Sequence, residues 1–181
     1  MPDDPALIAA LESSQHLGML GSRPIPEVIA HAEAFVAALA HTTGRVVDLG
    51  TGGGVPGLVV AARRPDLSLV LVDRRATRTD HVERLVRRLG WSDRVEVVTA
   101  DVAALRRGGP AFDAAIARGF GPPNVTLAAG ARLVRVDGLI VISEPPVGAP
   151  DRWASLDTSA LGVTLQPSTD PKVVVFRRHG V

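Results

Sequence analysis

The chain predicts an α/β fold: a doubly wound mixed sheet of five parallel strands plus a C-terminal antiparallel hairpin, with helices on both faces. Three observations support this. From residue 44 onward, short apolar runs alternate with amphipathic stretches, the pattern of a parallel sheet packed between helix layers. The runs are almost wholly apolar, as strands buried on both faces are. A glycine-dense loop, DLGTGGGVPG at 48–57, follows the first run, where the carboxyl ends of such strands receive ligands.

Two helices are expected first, over residues 5–17 and 27–41. In the second, Val28, Ile29, Ala32, Phe35, Val36 and Leu39 recur at helical spacing, which marks one apolar face. The connector LGSRPIP joins them, rich in the residues that interrupt periodic structure. Residues 1–43 read as a helical preface, and 44–181 as the sheet-bearing domain in one compact unit. The strands are RVVDL (45–49), SLVLVD (68–73), VEVVTAD (95–101), FDAAIAR (112–118) and LIVIS (139–143). LVVAARR, HVERLVRRLG, VAALRR and NVTLAAGARLV lie between them as helices. Val82, Leu85, Val86 and Leu89 line one face of the second, and Gly90 stops it. Beyond Pro145 the chain predicts one helix around Trp153. GVTLQ and KVVVFRR, joined by PSTDP, then form an antiparallel hairpin.

Composition narrows the function. With 181 residues, 46% hydrophobic and 22% charged, the chain suits a single globular domain. No apolar run approaches the roughly 20 residues that span a bilayer. The first residues, MPDDP, are acidic with no basic segment, so a secretory signal is not expected and the cytoplasm is. The absence of cysteine excludes disulfides, iron–sulfur clusters and a thiolate nucleophile. The five histidines show neither HxxxH nor HExxH spacing, so no metal is expected. Net charge is only +1, but Arg74, Arg75, Arg78, Arg84, Arg87 and Arg88 crowd one stretch against Asp80 and Glu83. Lys172 is the single lysine among 20 Lys and Arg, which reads as compositional bias.

The glycine loop admits two ligand classes. From Gly52, GGGVPG fits the dinucleotide fingerprint G-x-G-x-x-G, yet a pyrophosphate needs bare N–H groups and a positive helix end. Asp48, two residues before the first glycine, would repel it. A cationic amine would instead be attracted, while Gly50, Gly52 and Gly54 let the backbone approach closely. D-x-G-x-G-x-G therefore suits S-adenosylmethionine, an amino acid joined to a nucleoside without phosphate. Asp73, closing the second strand, would accept both ribose hydroxyls, and Asp101, after the third, the adenine amino group. The plainer alternative is that Asp48 caps the following helix and the glycines only make a tight turn.

These residues resemble a class I S-adenosylmethionine-dependent methyltransferase with a Rossmann-like sheet. More narrowly, the chain is similar to the RsmG (GidB) family, which methylates guanine N7 of small-subunit rRNA. The resemblance runs from about Leu17 to Pro146, on LGMLGSRPIPEVIAH, VVDLGTGGGVPGLVVAARRPDLSLVLVD and FDAAIARGF. It implies that Gly50, Thr51, Val55 and Arg74 contact the cofactor and that Asp101 and Val102 flank the adenine. It also implies that Arg118 stands at the border between cofactor and substrate; the alternative is a surface arginine at a strand end. Three departures from the family stand out. Asp101-Val102-Ala103 replaces Arg-x-Glu, Thr77-Arg78 replaces Lys-Arg, and Ser143-Glu144-Pro145-Pro146 replaces Lys-Gly.

Three functions remain open at this level. An rRNA methyltransferase would use Arg74, Arg75, Arg78 and Arg118 against phosphates, and Phe120 to stack an extruded base unless that ring only packs. Guanine N7 carries a lone pair and no proton, so it needs no base. A small-molecule methyltransferase on the same scaffold could need one, with Glu144 the candidate. A non-catalytic adenosylmethionine-binding protein is the third.

Overall fold

In a computed structural model, residues 4–105, 112–145, 151–168 and 170–180 are described. The N-terminal pair is α1 (Pro5–His16) and α2 (Ile25–Ala38). Asp4 caps α1 by accepting from the Ala6 N–H at 2.9 Å, satisfying one of the unpaired donors of the first turn. Then follow β1 (Arg45–Leu49), α3 (Gly57–Arg63), β2 (Ser68–Asp73), α4 (Ala76–Arg88), β3 (Val95–Thr99), β4 (Phe112–Ala117), α5 (Pro123–Leu133), β5 (Val134–Ser143), β6 (Val163–Gln166) and β7 (Val173–Arg178).

The seven strands form one sheet in the order β3-β2-β1-β4-β5-β7-β6. All pairings from β3 through β5 are parallel, and β7 joins β5 and β6 antiparallel. Strand order reverses between β1 and β4, which opens a crevice at their carboxyl ends. Alternate side chains feed two cores. Val46, Leu69, Leu71, Ala114, Ile116 and Val141 pack with α1–α4. Val47, Val70, Ala115, Ile140 and Phe176 pack with α5, Trp153, Leu156 and Leu161.

The helical preface shares the sheet's core, where Leu7, Leu11 and Phe35 are fully buried. Three expectations are revised. No helix forms around Trp153; residues 151–162 are bends and turns. That segment is instead held by the Trp153 indole, which meets the Phe176 ring edge-on at 5.1 Å. VAALRR yields a single 3-10 turn, Val102–Ala104, and residues 106–111 lie outside the described residues. β5 starts at Val134, five residues before the expected LIVIS, because a bulge between the Phe112 and Ala114 pairings carries Asp137 at φ 65° and lets a Gly-containing stretch stay in the sheet.

Candidate active site

The site is assembled at the carboxyl edge of β1, β2, β3 and β4. Register places Leu49 opposite Val72, Leu49 opposite Ala117, and Asp73 opposite Thr99. Residues just past these pairs therefore converge on one crevice of about 360 Å³, within the range of small-ligand sites. The glycine loop contributes Gly50. From the end of β2 come Asp73 and Arg74, with Arg75, and α4 adds Arg78. Past β3 stand Ala100, Asp101 and Val102; past β4, Gly119, Phe120, Gly121, Pro122 and, on α5, Val125.

Asp73 organises this crevice. Its Oδ2 accepts from the Gly52 N–H at 3.1 Å and lies 3.5 Å from Arg78 Nη1, while Oδ1 accepts from the Arg75 N–H at 2.9 Å. One carboxylate thus ties the glycine loop to the start of α4. Asp101 is exposed and takes the Ala103 N–H at 2.8 Å, capping the 3-10 turn. Gly50 has φ 68°, and a Cβ there would come 2.8 Å from the Phe120 ring. A side chain is excluded there by both backbone and packing.

Asp48 is not where charge alone would put it. Its side chain is fully buried under the loop, against α3, where Oδ2 accepts from the Gly57 N–H at 3.0 Å. The plainer alternative, a helix cap, is the contact this carboxylate makes. Its Oδ1 has no hydrogen-bond partner among the described residues. Burial pushes the Asp48 carboxyl up to about 6, against the pull of the Gly57 N–H and the Arg118 charge. The buried Thr51 hydroxyl, outside hydrogen-bonding geometry, leans the same way.

Eight expected residues meet in the crevice: Gly50, Asp73, Arg74, Arg75, Arg78, Asp101, Val102 and Phe120. Asp48, Thr51, Gly52, Gly54 and Val55 form the loop and its backing, off the lining. Thr51 and Val55 are buried; the Thr51 N–H bonds the Val72 carbonyl at 2.8 Å. Gly54 has φ 96° and abuts Leu58. Arg118 follows Ala117 on the α2 face of the sheet, half-buried, and does not line the crevice. Glu144 does not line the crevice; its Oε1 accepts from Trp153 Nε1 at 2.6 Å and from Arg152 Nη2 at 3.2 Å, which anchors the 151–162 segment. Pro146 of the SEPP stretch lies outside the described residues. Sequence reasoning missed Gly119, Gly121, Pro122 and Val125. Their signal was GFGPP after the fourth strand, with Val125 half exposed on the first turn of α5. The N-terminal connector was also missed as a site element: Leu20 and the Met19 carbonyl press on Gly53, 2.9 and 3.1 Å from where its Cβ would be.

The helix end is unsuited to a diphosphate, because a buried carboxylate already holds the Gly57 N–H of α3. The crevice fits a nucleoside, with acceptors at Asp73 and Asp101 and a bare Gly50, and a buried oxygen of Asp48 without a hydrogen-bond partner lies behind the loop. Fold and site together define a Rossmann-like domain with a nucleoside-sized crevice at its strand ends. The described residues include no group of three His, Asp or Glu able to hold a metal, and no described helix is long and apolar enough to cross a membrane.

The chain belongs to the family described as rRNA small subunit methyltransferase G, whose model matches residues 10–144. A relative from Nocardioides sp., named ribosomal RNA small subunit methyltransferase G, is 32% identical over 170 residues, covering 87% of this chain and 67% of its own length. One of the same name from Novosphingobium aromaticivorans is 35% identical over 147 residues, covering 79% of this chain and 61% of its own. The chain thus spans roughly two thirds or less of these relatives. Among solved structures, cofactor-bound Rv0187 from MTB superposes with TM-score 0.69 at 23% identity, covering 98% of this chain and 92% of that one. The [4+2]-cyclase SpnF gives 0.71 at 16%, covering 97% and 94%. At those identities the likeness is one of fold.

Proposed function

We propose that the chain is an S-adenosylmethionine-dependent methyltransferase acting on guanine N7 of small-subunit rRNA. The observation that carries this is the placement of Asp73 and Asp101 on successive strand ends around a side-chain-free Gly50. When bound, adenosylmethionine supplies a methyl group on a sulfonium. The chain's own task is alignment and exclusion of water. Asp73 would hold the ribose hydroxyls through lone pairs left beside the Gly52 and Arg75 bonds, and Asp101 the adenine amino group. The Phe120 ring against Gly50 walls the reacting end. Arg74, Arg75 and Arg78 line the open side, where phosphates of an RNA would meet them. A lone pair on N7 asks for no proton acceptor, and Glu144, the base a small-molecule acceptor would want, is engaged by Trp153 and Arg152.

The test is calorimetric titration with adenosylmethionine and S-adenosylhomocysteine, then transfer of labelled methyl to small ribosomal subunits across a salt series. Micromolar binding of both, with transfer that declines steeply as salt rises, is expected. Binding without transfer to any ribosomal RNA would remove the RNA assignment; absence of binding would remove the enzyme.

A further inference from the structure

The cationic rim that Arg74, Arg75 and Arg78 give the crevice continues down the outer face of α4. Between Arg74 and Arg88 the chain sets six arginines against two acids, Asp80 and Glu83. α4 buries Thr79, His81, Val82, Leu85 and Val86 and turns Asp80, Glu83, Arg84, Arg87 and Arg88 to solvent. At a rise of 1.5 Å per residue, Arg88 stands about 20 Å from Arg75 along the helix axis. A band of positive charge thus leads from the crevice mouth toward the amino edge of the sheet.

Pairing divides these arginines into two kinds. Arg87 is matched: its Nη2 meets Glu83 Oε1, one turn earlier, at 2.5 Å. Arg84 and Arg88 are also one turn apart, but from each other, so like charge faces like charge. Among the described residues neither side chain makes a hydrogen bond or an ion pair, and Asp80, one turn before Arg84, forms none with it. The negative end of the helix favours a cation at Arg88 in the last turn, but that effect does not reach Arg84 in the turn before. The chain leaves this repulsion unrelieved, and a polyanion laid along the face would relieve it.

We propose that Arg84 and Arg88 form a phosphate-binding surface on α4, outside the crevice, which takes the backbone of the RNA substrate beyond the segment held at the crevice mouth. This rests on the RNA reading above. The length of the band suits a strand and not a single anion: at about 3.4 Å per nucleotide, it spans roughly six nucleotides. An acidic protein would meet the same charges, but continuity with Arg74, Arg75 and Arg78 gives the strand that reaches the crevice a direct path over this face.

The experiment titrates oligouridylates of about four and about twelve nucleotides, across a salt series, into the full chain, Arg84→Gln/Arg88→Gln and Arg87→Gln. Glutamine has nearly the helix propensity of arginine, and adenosylmethionine affinity, measured alongside, reports the intact crevice. The longer strand should bind the parent at least about tenfold more tightly than the shorter one. In the double variant most of that gain should vanish, and the salt slope of the longer strand should fall by about 1.4 for two lost phosphate contacts. The shorter strand should bind parent and double variant alike, and Arg87→Gln should keep the gain. A gain that survives in the double variant, or is lost equally in Arg87→Gln, overturns the surface. Polyglutamate that competes as well as the longer strand assigns the face to an acidic protein and overturns its assignment to RNA. Failure of both strands to bind a chain that still takes adenosylmethionine is a different result, which overturns the RNA reading and the surface with it.

Discussion

Asp48 and Asp73 lie near the carboxyl ends of adjacent parallel strands, Asp48 paired with Leu71 and Asp73 two residues further on, and live in opposite surroundings. Asp73 opens on the crevice and receives the Gly52 and Arg75 N–H groups, with Arg78 close by. Asp48 is sealed behind the same loop with one N–H on one oxygen and nothing on the other. Two acids in one motif thus do different work. The donor-rich carboxylate shapes the site, and the donor-poor one stores an electrostatic cost that a nearby cation would relieve.

The largest effect should come from removing the donor-rich member. Asp73→Ala leaves the Gly52 and Arg75 N–H groups without their acceptor and frees Arg78, so the loop loses its tie to α4. Hydrogen bonds to a charged group are worth about 1.5–3 kcal/mol each. Adenosylmethionine affinity should fall at least about 100-fold, or roughly 2.7 kcal/mol, by calorimetry. Asp73→Asn keeps one acceptor oxygen and should lose less. An affinity unchanged in Asp73→Ala would erase the distinction between the two acids.

The donor-poor member gives a pH signature. Burial raises the Asp48 carboxyl from 3.8 to about 6, a difference worth about 3 kcal/mol at ~1.4 kcal/mol per tenfold change. The folded chain holds this proton more tightly than the unfolded chain. The stability it confers is complete below the ordinary carboxylate range and is lost as pH rises through about 6. Asp48→Asn keeps an oxygen for the Gly57 N–H and has no proton to lose. Its unfolding free energy, from denaturant titration, should match that of the parent near pH 4 and exceed it above pH 6, by up to about 3 kcal/mol. Parallel stability curves from pH 4 to 8 would show that Asp48 carries no such cost.

How far this contrast was legible in the sequence follows from what each feature depends on. Apolar runs fixed β1 and β2 to the residue, because a strand buried on both faces has no freedom in its pattern. The convergence of Gly50, Asp73 and Asp101 was legible because all three sit at strand ends, and strand ends in a parallel sheet share one edge. The direction of Asp48 was not, because it depends on α3 starting at Gly57, close enough for its N–H to claim the carboxylate. The partners of Glu144 were hidden for a similar reason: Arg152 and Trp153 approach through a segment expected as a helix and built of turns. The β5 bulge hid behind Asp137 and Gly138, residues that ordinarily end strands.

The smallest effect concerns what closes the loop from above. Met19 and Leu20 press on Gly53, and their connector is held by α1, which is itself pinned to α4 where Ser14 Oγ meets His81 Nε2 at 3.0 Å, both buried. Ser14→Ala removes one neutral hydrogen bond and leaves His81 Nε2 without a partner, at a cost of about 1 kcal/mol. Burial first, then Arg84 and Arg88, hold the His81 pKa below 6.5. The sign is opposite to that of Asp48: a depressed base stabilises above its ordinary pKa and loses that contribution as pH falls through its folded value. The parent should therefore lose stability on acidification below about pH 6.5 through His81 while gaining it through Asp48, and His81→Gln should leave only the Asp48 slope. If α1 seats the connector on the loop, Ser14→Ala should also lower adenosylmethionine affinity by a few-fold. A full 1 kcal/mol loss of stability with unaltered affinity would confine α1 to the core and leave the loop closed by α4 and Asp73 alone.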